Sequence, residues 1–251
     1  MPPAGPCSAS DRAFGQLRIH HLAEVGSTND WIAEAARRGD SDGTWVRADR
    51  QTGGRGRRGR AWVSDPGNLF ASALIRPAAG ETPPHLFSFV AALALHDMAS
   101  HFAPAERLSL KWPNDLLLDG VKVAGLLVEG AGDAIILGCG VNLSHHPPAT
   151  ERPATSFPAA GLVAPDPSAA VSRLADAVAA RRQEWRNKGF GALRTAWLDR
   201  TAHRLGDPLE ARLGRETLGG HYAGLAEDGA LRLTLADGTE RAIHGGEVFT
   251  L

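Results

Sequence analysis

Apolar and polar residues alternate from Leu17 to Val25, which predicts a strand. Gly26-Ser27-Thr28-Asn29-Asp30 reads as a turn of helix-capping residues, with a short helix over Trp31 to Arg38 closed by Gly39. Thr44 to Ala48 and Asn68 to Ile75 read as further strands. From Leu86 to Phe102 the apolar residues form two helical stripes. One is Leu86, Phe89, Val90 and Leu93; the other is Leu95, Met98, Ala99 and Phe102. A helix with two apolar faces is expected to be buried on both sides. Leu108 to Trp112 reads as a strand. Asp119-Gly120, between Leu116–Leu118 and Val121–Glu129, is a hairpin signal. Ala134 to Leu143 reads as a buried strand, and residues 145–167, with six prolines, as a loop. Val171, Leu174, Ala175, Val178 and Trp185 mark an amphipathic helix, and a second is expected around Phe190 to Trp197. From about His203 the texture shifts to short strands separated by Asp-Gly turns at 228–229 and 237–238. The expected architecture is α+β: a flexible lead over 1–15, a mixed sheet with packed helices over 16–200, then a small β-barrel over 201–251.

Composition narrows the function classes. The chain has 251 residues, is 43% hydrophobic and 22% charged, and carries a net charge of −1. That is enough apolar material for a core, and too little positive charge for a protein that coats nucleic acid along its length. Two cysteines, Cys7 and Cys139, exclude a disulfide scaffold. No apolar run reaches the ~20 residues of a membrane span, and the N-terminal residues hold no apolar signal core. A cytoplasmic protein without membrane partners is expected. Of the 27 basic residues only three are lysines: Lys111, Lys122 and Lys188. In an arginine-preferring chain, a lysine points to a place that needs its compact ammonium.

The segment from Arg47 to Arg60 concentrates charge. Six arginines (47, 50, 55, 57, 58 and 60) stand against one Asp49, a net of +5 over 14 residues. Glycines at 53, 54, 56 and 59 let backbone N–H groups approach an anion, and guanidinium forks match carboxylate and phosphate oxygens. The loop is expected to be mobile when empty and ordered by a small anionic ligand such as a nucleotide. Other readings stay open at this point. Gly54-x-Gly56-x-x-Gly59 has the dinucleotide spacing, but the residues after it do not look helical. A P-loop would need a terminal Gly-Lys-Ser/Thr. An RNA-binding arginine–glycine segment is usually longer. A plain solvated loop also remains.

A second cluster is Lys111-Trp112-Pro113-Asn114-Asp115, with Lys122 across the hairpin turn. This places Asn114, Asp115 and Lys122 close together, as a site for an acyl or phosphoryl group or as ordinary hairpin charges. Taken with Gly54 to Arg60, with Lys122-Val-Ala-Gly-Leu-Leu-Val-Glu129, with Gly26-Ser-Thr-Asn29 and Gln51-Thr52, and with Gly138-Cys-Gly-Val-Asn142, the chain resembles the biotin–protein ligases. The likeness is carried by residues 17–145, and the end Gly245-Gly-Glu-Val-Phe249 resembles that family's small SH3-like domain.

The resemblance implies an enzyme that joins the biotin carboxylate to AMP from ATP. It then passes biotin to a lysine of a carboxylase carrier domain. Implied ligands are biotin and ATP with Mg²⁺, with no redox cofactor. By residue it implies that Ser27, Thr28 and Asn29 bond the ureido ring, while Gln51, Arg55, Gly56 and Arg57 hold biotin and its carboxylate end. Arg57, Arg58, Arg60 and Trp62 would serve phosphates and adenine. Lys122 would stabilise charge developing at the carboxylate and α-phosphate, with Asp115, Asn114 and Arg57 around it. Gly125, Gly138 and Gly140 would make room for close approach of backbone to biotin, and Asn142 would reach the nucleotide. No Mg²⁺ ligand is identifiable. Cys139 is expected in the core, Trp31 packed, and His145-His146 solvated. With about 16 residues before the first strand, no DNA-reading domain is expected. The rivals are a lipoate–protein ligase and a non-catalytic RNA-binding module.

Overall fold

A computed structural model describes residues 18–148, 153–214 and 216–250. The expected lead over 1–15 lies outside them. Among the described residues the strands are β1 (Arg18–Val25), β2 (Thr44–Gln51), β3 (Leu69–Ile75), β4 (Leu108–Lys111), β5 (Asp115–Leu118), β6 (Val121–Ala131) and β7 (Ala134–Val141) in the first part. The C-terminal strands are β8 (Pro208–Arg212), β9 (Thr217–Leu225), β10 (Leu231–Thr234), β11 (Glu240–Ile243) and β12 (Glu247–Thr250). The helices are α1 (Thr28–Arg38), α2 (Phe87–Ala99), α3 (Pro167–Lys188) and α4 (Phe190–Leu198).

The first seven strands form one mixed sheet in the order β1-β2-β3-β7-β6-β5-β4. Only β1 and β2 run parallel; the other neighbours are antiparallel. β7 is buried along its whole length, as expected of a central strand covered on both faces. Strand parity divides its residues. Ile135, Leu137, Cys139 and Val141 face a large core with α2, α3 and α4. Ala134 and Ile136 face a smaller core with Ile32 of α1, Val46 and Leu74. Helix α2 has eleven of its thirteen residues buried, between the sheet and α3–α4. Burying a side chain such as Leu93 or Leu95 contributes about 1.5–3 kcal/mol each, which suits this helix to its two apolar stripes. Asp166 caps α3 by accepting the Ala169 N–H at 2.9 Å.

The 119–120 turn forms as its sequence predicts. Asp119 and Gly120 both have positive φ, 52° and 77°, as a type I′ hairpin requires. The expected small barrel is a five-stranded antiparallel sheet, β11-β10-β9-β8-β12, with β11 and β12 as its end strands. It shares the large core through Leu209, Tyr222, Leu231 and Val248. It also docks by polar contacts: the Trp112 indole N–H donates to Gly229 O at 3.3 Å, and residues 200–202 bond Leu110 at the β4 edge. No helix among the described residues is long and apolar enough to cross a membrane.

Candidate active site

The face of the sheet that carries α1 becomes small and polar toward one end. On β3, Ser72 shares parity with Leu74; on β7, Gly138 and Gly140 share parity with Ile136. On β6 a register shift between the Leu116 and Leu117 pairings leaves one residue extra, so Lys122 and Gly125 lie together although three positions apart. Of these, Lys122, Gly125, Gly138 and Gly140 line a cavity of about 380 Å³. Its walls are the α1 N-terminus, residues 51–63, the Trp112–Asp115 turn and the tip of the C-terminal sheet at Gly246–Val248.

At one end lies an ion pair, with Lys122 Nζ 2.6 Å from Asp115 Oδ1. Asp115 is buried, and the Lys122 ammonium also sits 5.5 Å above the Trp62 ring. Arg57 reaches the same region. It donates to Asn114 Oδ1 at 3.2 Å and to Gly246 O at 3.3 Å. Asn114 is fixed in turn, its Nδ2 donating to Leu126 O at 2.9 Å. An ammonium on an acidic partner, a guanidinium and an indole face can together hold a carboxylate, a phosphate and a flat ring.

The other end is a network of short-range hydrogen bonds. The Thr28 N–H and Oγ1 lie 2.8 and 3.0 Å from Gln51 Oε1. Gln51 Nε2 donates to Ser64 Oγ at 3.1 Å, and Ser64 donates to Trp62 O. Asn29 Nδ2 donates to Glu129 Oε2 at 2.5 Å, while its Oδ1 lies 2.6 Å from the Ser72 hydroxyl. Ser72 is completely buried.

The structure brings together Ser27, Thr28, Asn29, Gln51, Arg55, Gly56, Arg57, Arg60, Trp62, Asn114, Asp115, Lys122, Gly125, Gly138, Gly140 and Asn142 around this cavity. It differs from expectation at several of them. Thr28 and Asn29 belong to the first turn of α1 rather than to a turn before it, and the Ser27 side chain makes no cap bond. Arg58 lines a second cavity of about 610 Å³, on the far side of Arg57 and Asn114, and donates to Arg212 O at 3.4 Å. Gly138 and Gly140 make room for this chain's own side chains. A Cβ at Gly138 would overlap the Asn29 amide, and one at Gly140 would overlap the Trp62 indole.

The arginine loop is not an unpaired cluster. Arg47 pairs with Asp49, Arg50 with Glu24, Arg55 with Asp30 (2.6 Å) and Arg60 with Glu247. The Arg55 hydrogen bonds, outweighing the effect of burial, hold Asp30 below the usual carboxylate range. The dinucleotide reading falls away: Arg55 and Ala61 form an isolated bridge and residues 57–59 a single 3₁₀ turn, so the glycines do not open an α-helix.

Asn142 is buried and donates to Thr155 O at 3.0 Å. His145 and His146 are half-buried rather than solvated, with His146 Nδ1 3.3 Å from Ser156 Oγ. Cys139 is buried, and burial pushes its thiol up to about 12, which removes it as a nucleophile. Trp31 packs on His20 as expected. Sequence reasoning missed Ser72, Ser64 and Glu247. A serine in an otherwise apolar strand was the only signal for Ser72.

Residues 25–142 match the biotin/lipoate A/B protein ligase family, and residues 205–251 match the biotin protein ligase C-terminal domain. A biotin–[acetyl-CoA-carboxylase] ligase of Paracoccus denitrificans is 41% identical over 239 residues, covering 91% of this chain and 98% of that protein. One from Mycobacterium tuberculosis is 36% identical, covering 74% of this chain and 73% of its own length. The biotin protein ligase from Aquifex aeolicus, solved in complex with biotin and ATP, superposes with a TM-score of 0.80 at 27% identity, covering 93% and 99% of the two chains. The chain belongs to the biotin/lipoate A/B protein ligases, in the branch of the biotin–[acetyl-CoA-carboxylase] ligases.

Proposed function

We propose that this protein activates biotin with ATP to biotinyl-AMP, releasing pyrophosphate. A lysine amine of acetyl-CoA carboxylase, in that enzyme's biotin carrier domain, then attacks the mixed anhydride, forming the amide and releasing AMP. The observation that carries this reading is the Lys122–Asp115 pair set into one cavity with the polar α1 N-terminus and Arg57.

The reaction brings a carboxylate against an α-phosphate, two anions whose repulsion dominates the barrier. A fixed ammonium at that point stabilises charge as it develops. One such preorganised donor is worth about 10²–10³ in rate. Asp115 orients Lys122, and Arg57 screens the phosphate side. Thr28, Asn29 and Gln51, with Ser27 beside them, take the ureido ring; Gly125 leaves room beside Lys122. Trp62 and Asn142 face the nucleotide, and the loop with Arg55, Gly56 and Arg60 covers the mixed anhydride against water. Mg²⁺ would enter with ATP, as part of that substrate. The reaction calls for neither DNA nor membrane and belongs in the cytoplasm. The working division is a catalytic part to about residue 200 and a C-terminal part from 201.

An adenylation assay tests this. Purified protein with α-labelled ATP, Mg²⁺ and biotin is expected to form a biotin-dependent acyl-AMP that disappears when a carrier domain is added. An adenylate formed only with lipoate would move the specificity, and none with either acid would overturn the reading.

A further inference from the structure

Two residues outside the cavity lining, Ser72 and Glu129, hydrogen-bond to Thr28 and Asn29 at its α1 end. A carboxylate oxygen only accepts, so Glu129 Oε2 at 2.5 Å forces the Nδ2 side of Asn29 toward itself. Asn29 Oδ1 therefore faces Ser72, and at 2.6 Å the single Ser72 proton must go to it. Ser72 then presents only lone pairs to Thr28 Oγ1, 2.8 Å away. Gln51 is oriented in the same way. Its Oε1 receives the Thr28 N–H, and its Nε2 serves Ser64. The Thr28 hydroxyl now lies between two acceptors, Ser72 Oγ and Gln51 Oε1 at 3.0 Å, with one proton for both. Three oxygen–oxygen contacts share two hydroxyl protons. One of the three contacts is thus left without a proton, so the wall of Thr28, Asn29 and Gln51 offers accepting lone pairs beyond those its own donors fill.

We propose that Ser72, seconded by Glu129, is a positioning residue that sets this wall as an acceptor surface and so selects a ligand ring that brings N–H donors. The proposal rests on the reading of the site as a biotin site, where the ureido N–H groups would supply the missing proton. Ser72 acts through Asn29 and Thr28 and touches no ligand. Without its hydroxyl, Asn29 Oδ1 loses its donor and Thr28 its acceptor, and both are free to reorient.

The test is steady-state kinetics of the full chain with biotin and ATP, beside thermal unfolding, for Ser72→Ala, Ser72→Cys and Glu129→Gln. Ser72→Ala is expected to raise the biotin KM about tenfold or more, the scale of one stranded buried acceptor. The ATP KM and kcat should stay within about twofold, because the interaction is made equally in ground and transition states. Ser72→Cys, which keeps a weak donor at the same place, should recover part of the loss. Glu129→Gln, which can present either oxygen or N–H to Asn29, should also raise the biotin KM. An unchanged biotin KM in Ser72→Ala, or equal losses in both KM values and kcat with a lowered Tm, would overturn the proposal. If Ser72→Ala does not fold, the same criteria apply to Ser72→Cys and Glu129→Gln. Wild-type protein that makes no biotin adenylate would instead remove the functional reading beneath it.

Discussion

Lys122 is one of three lysines in the chain, and it lies on Asp115 in the cavity, while Lys188 sits at an exposed helix end beside Glu184. An arginine at 122 would keep the charge but would spread it over a planar fork too large for the space beside Gly125 and Trp62. Lys122→Arg and Lys122→Ala are both expected to lower the adenylation rate by about 10²–10³, because the lost donor acts on developing charge. Rapid-quench measurement of adenylate formation would show it; a rate within threefold of wild type would contradict the role. Gly140 makes the complementary case. A methyl group there would overlap the Trp62 indole, so Gly140→Ala should displace the ring. Adenylate binding should weaken, and the tryptophan fluorescence change on ligand addition should shrink; an unaltered titration would show that the ring has another resting place.

Among the elements, the segment between β3 and α2 depends most on charge. Glu81 is fully buried and accepts from Arg182 at 2.8 and 2.9 Å and from Arg186 at 2.9 Å, while Arg182 also binds Asp42. Burial alone would raise the Glu81 carboxyl. The Arg182 hydrogen bonds, the Ala78 N–H and both arginine charges outweigh it and hold it below the usual range. Removing the charge strands two guanidinium groups, so Glu81→Gln should cost about 3–5 kcal/mol in urea unfolding. A loss under 1 kcal/mol would mean that water or Asp42 takes over the pairing. Because its folded value is lowered, the Glu81 contribution is full above the unfolded carboxylate value. It is lost as pH falls through the folded one.

For the whole molecule, pH stability has a second origin. His96 is buried in α2, and desolvation, with the charges of Arg200 and Arg181, lowers it from 6.5 to about 4. The folded state keeps it neutral while the unfolded chain takes up a proton. Its contribution is therefore complete above pH 6.5 and declines as pH falls from 6.5 toward about 4. His203, lowered by burial and by Lys111, acts with the same sign. Tm should fall across this window, before the paired carboxylates protonate, and His96→Leu should flatten the fall. An equally steep profile in that variant would assign the acid sensitivity elsewhere. The two parts of the chain should unfold together, since one hydrophobic cluster runs through both.

The sequence by itself determined the element order, the hairpin at Asp119-Gly120, the doubly buried helix, and the grouping of Lys122 with Asp115. Each rests on local spacing or on turn chemistry, which near neighbours in the chain dictate. Its motifs also marked most of the residues that line the cavity. What the tertiary structure decided depends on residues far apart in sequence. Strand pairing put the Asn29 amide and Trp62 indole into the spaces of Gly138 and Gly140. Docking of the C-terminal sheet set Glu247 on Arg60, and Glu24 and Asp30 reached Arg50 and Arg55, so a run of +5 that reads as unpaired along the chain is partly neutralised in space. Ser72 became part of the site only because β3 lies beside β7 and under α1. A hydroxyl on an apolar strand carries no sign of the amide it will meet, since hydrogen-bond partners are chosen by proximity after folding and not by distance along the chain.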